Sequence, residues 1–169
     1  LGLLGVGLIG KRHAEIILKY KDAKLVAVAD PDPSAEKYAK EIGVSYFKSL
    51  SEMLSSSSLD GVIIATPNNL HVEHGIECIQ KNIPSLIEKP LASTAQDAAI
   101  ISKASEDSGV PVLVGHHRRH NPIIKAAKKI VDSGEIGDVR SFHANCWLFK
   151  PDEYFEESVW RTKKGAGPV

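Results

Sequence analysis

The stretch LGLLGVGLIG, residues 1–10, carries the reading that decides the fold. It opens as an apolar run of strand length, and three glycines then stand at G-x-G-x-x-G spacing: Gly5, Gly7 and Gly10. Residues 8–20 follow with Ala14, Ile17 and Leu18 as the apolar positions of a helix. Alone, three such glycines are a weak signal; between a strand and a helix the pattern acquires a mechanism. Gly5 permits a tight turn, and Gly7 lets the backbone of the turn, with Leu8 and Ile9, approach a pyrophosphate. Gly10 lets helix and strand pack closely, and the helix N-terminus favours the negative charge. The competing reading is a plain glycine-rich turn.

Outward from that turn the chain repeats the same alternation. Apolar runs at 24–30, 44–47, 59–67, 83–90 and 110–116 read as further strands. Amphipathic segments at 33–43, 50–54, 69–80 and 94–106 read as the intervening helices, with Ser34 the expected N-cap of the second and Gly43 its stop. The runs are almost continuously apolar, the mark of strands covered on both faces. Strand and helix taking turns predicts an α/β fold: a Rossmann-type, doubly wound parallel sheet. After His116 the character changes. Residues 122–133 form an amphipathic helix, and VRSFHANCWLF (139–149) has a period of two and more aromatics, so it reads as a strand of a different sheet. The expected domains are residues 1–117 and 118–169, the second holding the start of an α/β unit with an antiparallel sheet and incomplete as it stands.

Composition bounds the partners. The 169 residues carry 21 Lys plus Arg against 21 Asp plus Glu, a net charge of zero, which gives no reason to expect a nucleic-acid partner. No apolar run approaches the length of a transmembrane helix, so no membrane association is expected. Cys78 and Cys146 lie far apart without CxxC spacing and read as thiols of a reducing compartment, which makes the expected location cytoplasmic. Leu1 stands inside an apolar run and the sequence closes on the loop-like KKGAGPV (163–169), so a piece of a longer chain is expected.

Four further polar motifs sit where predicted strands end. Asp30, twenty residues after Gly10, can accept the ribose hydroxyls of an adenosine and repels a 2′-phosphate, which favours NAD over NADP; otherwise it only starts the DPDP turn. In ATPNNLH (65–71), Thr66, Pro67 and Asn68 are placed for a ribose or nicotinamide, and His71 is either a cofactor contact or a structural residue. EKP, Glu88–Lys89–Pro90, sets an adjacent acid and amine at a strand end. Pro90 restricts Lys89 to extended backbone, and the sequence leaves the isomer of the Lys89–Pro90 bond open. In GHHRRHNP (115–122), His116 and His120 have the spacing of a helical metal pair, but Arg118 and Arg119 between them oppose a divalent cation. No metal is expected there; Arg and His suit an oxygen-rich ligand. All five motifs fall on the edge where open α/β sheets bind ligands, whereas chance would scatter polar residues over both edges.

Together GVGLIGKRHA, Asp30, TPNNLH, EKPLA, RRHNP, GEIGDV and Trp160–Arg161 resemble, in order and over essentially the whole chain, the Gfo/Idh/MocA family of glucose-fructose oxidoreductase and inositol dehydrogenase relatives. The resemblance implies an NAD(P)-dependent oxidoreductase that moves hydride between nicotinamide and a secondary hydroxyl or carbonyl of a sugar, inositol or related polyol. It implies that Lys89 is the catalytic-site lysine with Glu88 beside it, close to the nicotinamide. By the same resemblance, Arg118, Arg119, Trp160 and Arg161 lie near cofactor or substrate, and His116 joins them as an oxygen-ligand candidate. A homo-oligomer through a C-terminal sheet is implied as well. The family's second catalytic motif, an Asp and a His four residues apart after a glycine-rich loop, is not in these residues. GAGPV (165–169) corresponds to that loop, so the 169 residues alone are expected to be inactive.

A free lysine titrates at about 10.4, so Lys89 reads chiefly as a positioned cation and hydrogen-bond donor, with a histidine as proton acceptor. Direct pairing with Glu88 would strengthen that assignment. Two other readings stand beside the enzyme: an NAD-binding sensor without turnover, and an inactive fragment lacking the Asp and His.

Overall fold

The structure, a computed structural model, describes residues 1–156. They divide into two compact units, Leu1–Gly115 and a second that begins at His116.

The first unit is a six-stranded, wholly parallel sheet in the order β3-β2-β1-β4-β5-β6. The strands are β1 (Gly2–Leu4), β2 (Ala27–Ala29), β3 (Ser45–Phe47), β4 (Val62–Ile64), β5 (Ser85–Ile87) and β6 (Val112–Val114). Each ladder is shorter than its apolar run because single hydrogen bonds continue beyond it, such as Ala65 N to Leu4 O, Glu88 N to Ile64 O and Gly115 N to Ile87 O. These outlying bonds hold the carboxyl ends of β4, β5 and β6 in register where the polar motifs begin.

The helices are α1 (Leu8–Lys19), α2 (Ser34–Ile42), α3 (Leu50–Ser56), α4 (His71–Gln80, entered through a 3₁₀ turn at Asn68–Leu70) and α5 (Ala95–Ser108). They cover both faces of the sheet. Successive strand residues point to opposite faces, and the core splits accordingly. Leu3, Val28 and Ile63 pack with Ala14, Ile17, Ala35 and Ala39 of α1 and α2. Leu4, Ala27, Ala29, Val62, Ile64 and Ile87 pack with Leu50, Met53, Cys78 and Ile101 of α3, α4 and α5. This is why the central strands β1, β2 and β4 read as continuously apolar: both of their faces are buried.

Helix termini follow the sequence in part. Gly43 closes α2 in the left-handed region at φ 72°, and Thr94 caps α5 by accepting from Asp97 N. Ser34 does not cap α2; it is the helix's first residue, and its own N–H donates to Asp32 Oδ1 over 2.8 Å. A carboxylate two residues earlier reaches the exposed N–H better than the short hydroxyl does.

The second unit contains a 3₁₀ turn at His117–His120, helix α6 (Pro122–Asp132), capped by Asn121 accepting from Ile123 N, and the short α7 (Asp152–Glu156). The strand expected at 139–149 is not formed among the described residues, and the antiparallel sheet is not seen. A strand is stable only when its N–H and C=O groups are paired and one face is covered; here Phe142, Trp147 and Phe149 are exposed.

Candidate active site

The glycine turn is shaped by close approach. Gly5 sits at φ +88°, and a Cβ there would come 2.6 Å from the Ala65 carbonyl oxygen. A Cβ on Gly10 would overlap the carbonyl oxygen of Gly5. Gly7 differs: a Cβ there meets no described atom within 4 Å. The protein's own packing does not demand glycine at that position, so the open space is a cradle that a side chain would fill.

Helix α1 begins at that cradle with no side-chain cap and no acid in its first turn. Its first helical bond is Lys11 N to Gly7 O, 2.9 Å, so the N–H groups ahead of it lie at a positive helix terminus. Helices α3 and α5, by contrast, are capped by Ser49 and Thr94 and carry Glu52 and Asp97 in their first turns. Leu8 and Ile9 are exposed despite being apolar. Open space, unpaired donors and absent acid together fit an anion such as a dinucleotide pyrophosphate.

Asp30 lies beside this turn. Its Oδ2 accepts from Val6 N over 2.6 Å and its Oδ1 from Asp32 N over 2.8 Å, while Tyr46 OH donates to the Asp30 carbonyl over 3.0 Å. An ionised carboxylate offers about four lone-pair sites, so two N–H donors leave room for ribose hydroxyls. Asp32 faces α2 instead, where the Ser34 N–H holds its carboxyl below the usual range.

Beyond β4, Thr66 is gripped by α4. His74 Nδ1 lies 3.2 Å from its hydroxyl and His71 Nε2 lies 2.9 Å from its carbonyl oxygen. Burial pushes the His74 imidazole down, against the opposing charges of Glu73 and Glu77. His71 corrects the cofactor-contact expectation. The side chain is fully buried, and its Nδ1 lies 2.8 Å from the Pro90 carbonyl oxygen, so no ring nitrogen is left for a ligand. A helix-start histidine suits both roles by sequence; two backbone carbonyls in reach decide for the structural one. Asn68 is largely buried in the 3₁₀ turn after Pro67.

Beyond β5, Glu88 forms no ion pair with the Lys89 amine among the described residues. Glu88 Oε1 accepts instead from His13 Nε2 over 2.9 Å, and Oε2 from the backbone N–H of Lys89 over 3.1 Å. Gly115, after β6, backs this carboxylate: a Cβ there would stand 3.1 Å from both Glu88 Cδ and Oε1. Burial on its own would raise the Glu88 pKa. The His13 hydrogen bond, the Lys89 N–H and the positive charges of both residues outweigh it and hold the carboxyl below its ordinary range. Lys89 is exposed, and among the described residues its amine forms no ion pair; the Lys89–Pro90 bond is cis. His13 is the residue that sequence reasoning missed. The available signal was its place three residues after Gly10, on the same face of α1.

His116, Arg118 and Arg119 belong to the second unit and are exposed there. Trp160, Arg161 and the GAGPV loop lie outside the described residues. Among the described residues no group of three or more His, Cys, Asp or Glu is arranged to hold a metal, and no helix is long and apolar enough to cross a membrane.

The strand order, the glycine turn and the acid after β2 define a dinucleotide-binding Rossmann domain. Residues 1–116 match the model of the GFO_IDH_MocA oxidoreductase family, NAD-binding Rossmann fold, and the chain belongs to that family. It is 33% identical to 2,7-anhydro-N-acetylneuraminate hydratase of Escherichia coli, over 96% of this chain and 43% of that protein. It is 34% identical to the NAD(+)-dependent scyllo-inositol 2-dehydrogenase of Bacillus subtilis, over 80% of this chain and 40% of that one. Among solved structures, the WlbA dehydrogenase of Bordetella pertussis in complex with NADH and UDP-GlcNAcA superposes with a TM-score of 0.89 at 33% identity, covering 95% of this chain and 50% of WlbA. The chain therefore spans less than half the length of these two curated relatives.

Proposed function

We propose that the protein is the NAD-binding part of a dehydrogenase acting on a secondary hydroxyl or carbonyl of a sugar, inositol or related polyol. One observation carries this reading. Lys89 is exposed and, among the described residues, free of ion pairing at the end of β5, on the sheet edge that also holds Gly7 and Asp30, and its neighbouring acid is committed to His13. A nicotinamide, when bound, supplies the hydride donor or acceptor. Gly5, Gly7, Leu8, Ile9 and Gly10 would hold its pyrophosphate, Asp30 its adenosine ribose, and Thr66, Pro67 and Asn68 its other half.

Lys89 is assigned to the reacting oxygen. A lysine ammonium donates up to three hydrogen bonds, so it can steady the negative charge that grows on a hydroxyl oxygen as its proton leaves. That donor must stay unpaired with the adjacent acid to be available, and the His13–Glu88 contact keeps it so. His116, Arg118, Arg119, Trp160 and Arg161 are assigned to the oxygen-rich substrate. Residues 1–117 form the cofactor domain and 118–169 the beginning of a substrate domain, whose antiparallel sheet would join copies into a homo-oligomer in the cytoplasm.

The test is a panel of sugars, inositols and sugar acids with the full chain and NAD+, read at the NADH absorbance band. Products are read by mass as well, since one relative bears the name of a hydratase. Turnover with at least one polyol or sugar is expected. Lys89→Ala is expected to abolish it while NAD+ affinity, measured by calorimetry, stays within about threefold, the pattern of an interaction made chiefly in the transition state. Tight NAD+ binding with no turnover across the panel would leave a sensor instead of an enzyme.

A further inference from the structure

Three consecutive residues at the end of β5 are held from different sides. The Glu88 carboxylate is bonded to His13 of α1, 2.9 Å. The Pro90 carbonyl oxygen lies 2.8 Å from Nδ1 of His71 of α4, and the Thr66 carbonyl oxygen lies 2.9 Å from Nε2 of the same ring. Helices α1 and α4 pack on opposite faces of the sheet. Between the two held residues stands Lys89, whose N–H is on the Glu88 carboxylate and whose amine forms no ion pair among the described residues.

We propose that His13 and His71 are positioning residues that brace the Glu88–Pro90 segment from the two faces of the sheet and so fix where the Lys89 amine starts. Neither ring serves the ligand directly; both act through the backbone from which the lysine extends. The assignment rests on the dehydrogenase reading for its catalytic meaning, and on the two contacts alone for its geometry.

The chemistry of each contact is specific. A carbonyl oxygen only accepts, so both His71 nitrogens must donate for both bonds to form. A neutral ring donates to one of the two, the doubly protonated ring to both. The Pro90 bond links β5 to α4, and the Thr66 bond links the same ring to the end of β4. One side chain thus reaches two adjacent strand ends at the cofactor crevice. His13 couples the glycine-turn helix to the acid before the lysine, so the pyrophosphate cradle and Lys89 share a support. A misplacement of about 1 Å can cost about a hundredfold in rate, which is why such a brace matters for an amine on a long, flexible stem.

The test exploits side chains that keep one nitrogen of the ring. The asparagine amide nitrogen stands near the place of Nδ1, and that of glutamine near Nε2. His71→Asn therefore keeps the Pro90 bond, His71→Gln keeps only the Thr66 bond, and His13→Gln keeps the Glu88 bond that His13→Leu loses. In the full chain, kcat is expected to fall about tenfold or more in His71→Gln and His13→Leu, and no more than about threefold in His71→Asn and His13→Gln. The Kd for NAD+ should stay within about threefold in all four. Equal losses in His71→Asn and His71→Gln, or losses that appear only in the Kd, would overturn the brace.

Hydrogen exchange of the Lys89 amide gives a reading independent of turnover. It is expected to be about tenfold faster in His13→Leu and His71→Gln than in the other two variants. Equal exchange in all four would overturn the proposal equally. If a buried His71 variant fails to fold, the His13 pair decides. If the unaltered protein turns over nothing, the dehydrogenase reading fails and the exchange measurement decides the brace by itself.

Discussion

The backbone N–H of Val6 donates to Oδ2 of Asp30 over 2.6 Å, fastening the acid after β2 to the glycine turn. The same carboxylate accepts from Asp32 N, so it fastens two backbone segments at once. Asp30→Ala removes the acceptor of both N–H groups. A donor left unsatisfied costs about 1–3 kcal/mol where it is buried, and Val6 is buried. We expect a loss of about 1–2 kcal/mol in urea unfolding, together with at least about a tenfold weaker NAD+ affinity. The preference for NAD+ over NADP+ should shrink as the repelling charge disappears. An unchanged NAD+ Kd by calorimetry would remove Asp30 from the ribose site.

Gly7 and Gly10 stand three residues apart in one motif, and their reasons for being glycine are opposite. Gly10 is fixed by the protein, since a Cβ there overlaps the Gly5 carbonyl, and the obstacle is backbone that cannot swing aside. Gly7 faces open space. We expect Gly10→Ala to destabilise the fold by about 3 kcal/mol, as overpacking does. Gly7→Ala should change unfolding by less than about 0.5 kcal/mol, like a surface substitution, yet weaken NAD+ binding severely by filling the cradle. Thermal melts paired with calorimetry separate the two. A Gly7→Ala protein that binds NAD+ normally would move the pyrophosphate away from this turn.

The fold was legible because burial on both faces leaves a mark in the sequence. Leu3 and Leu4 point to opposite faces and both are covered, so the strands appear as unbroken apolar runs. What local pattern could not supply was contact between distant residues. His13 and Glu88 are 75 positions apart, and nothing near either one announces the other. The sequence raised a pairing of Glu88 with its neighbour Lys89 only as a possibility, and the fold brings His13 of α1 to that carboxylate instead. His71 was ambiguous for a chemical reason: an imidazole serves equally as ligand contact and as a bridge between carbonyls. Residues 139–149 show a further limit. Alternating hydrophobicity states which faces a strand would present, but not whether a partner strand is there to pair with it.

Gly115 and Glu88 give a test of the carboxylate's placement that leaves both histidines untouched. A Cβ on Gly115 would stand 3.1 Å from Glu88 Cδ and Oε1 and 3.2 Å from its Cα. Those distances are tighter than ordinary contact, and the Cα cannot yield as a side-chain tip can. Gly115→Ala should therefore push the Glu88 carboxylate off His13 and lower kcat about tenfold, with NAD+ affinity little changed. Gly109 is a useful contrast because its Cβ would meet no described atom, although its φ of +72° makes alanine there a strained C-cap. Gly109→Ala should cost about 1 kcal/mol of stability and leave kcat alone. Equal kcat values in the two variants would argue that the position of Glu88 does not matter to turnover.

The depressed pKa of Glu88 makes a prediction about acid stability whose sign can be worked out. Burial opposes the charged form, but the His13 hydrogen bond, the Lys89 N–H and the two positive charges together favour it more. The folded protein thus holds the carboxylate ionised at lower pH than the unfolded chain, where a glutamate titrates at about 4.3. The stability this contributes is complete above that value and is lost as pH falls through the folded pKa below it. Glu88→Gln abolishes the contribution, so its deficit relative to the unaltered protein should be constant above about pH 5 and narrow as the pH drops below about 4. His13→Leu acts differently. It removes a hydrogen bond and a charge that opposed burial, so the carboxyl pKa moves up and the acid loss of stability begins at higher pH. Urea midpoints measured across the acid range distinguish these behaviours. Parallel curves for the unaltered protein and His13→Leu would show that the contact contributes nothing to holding Glu88 charged.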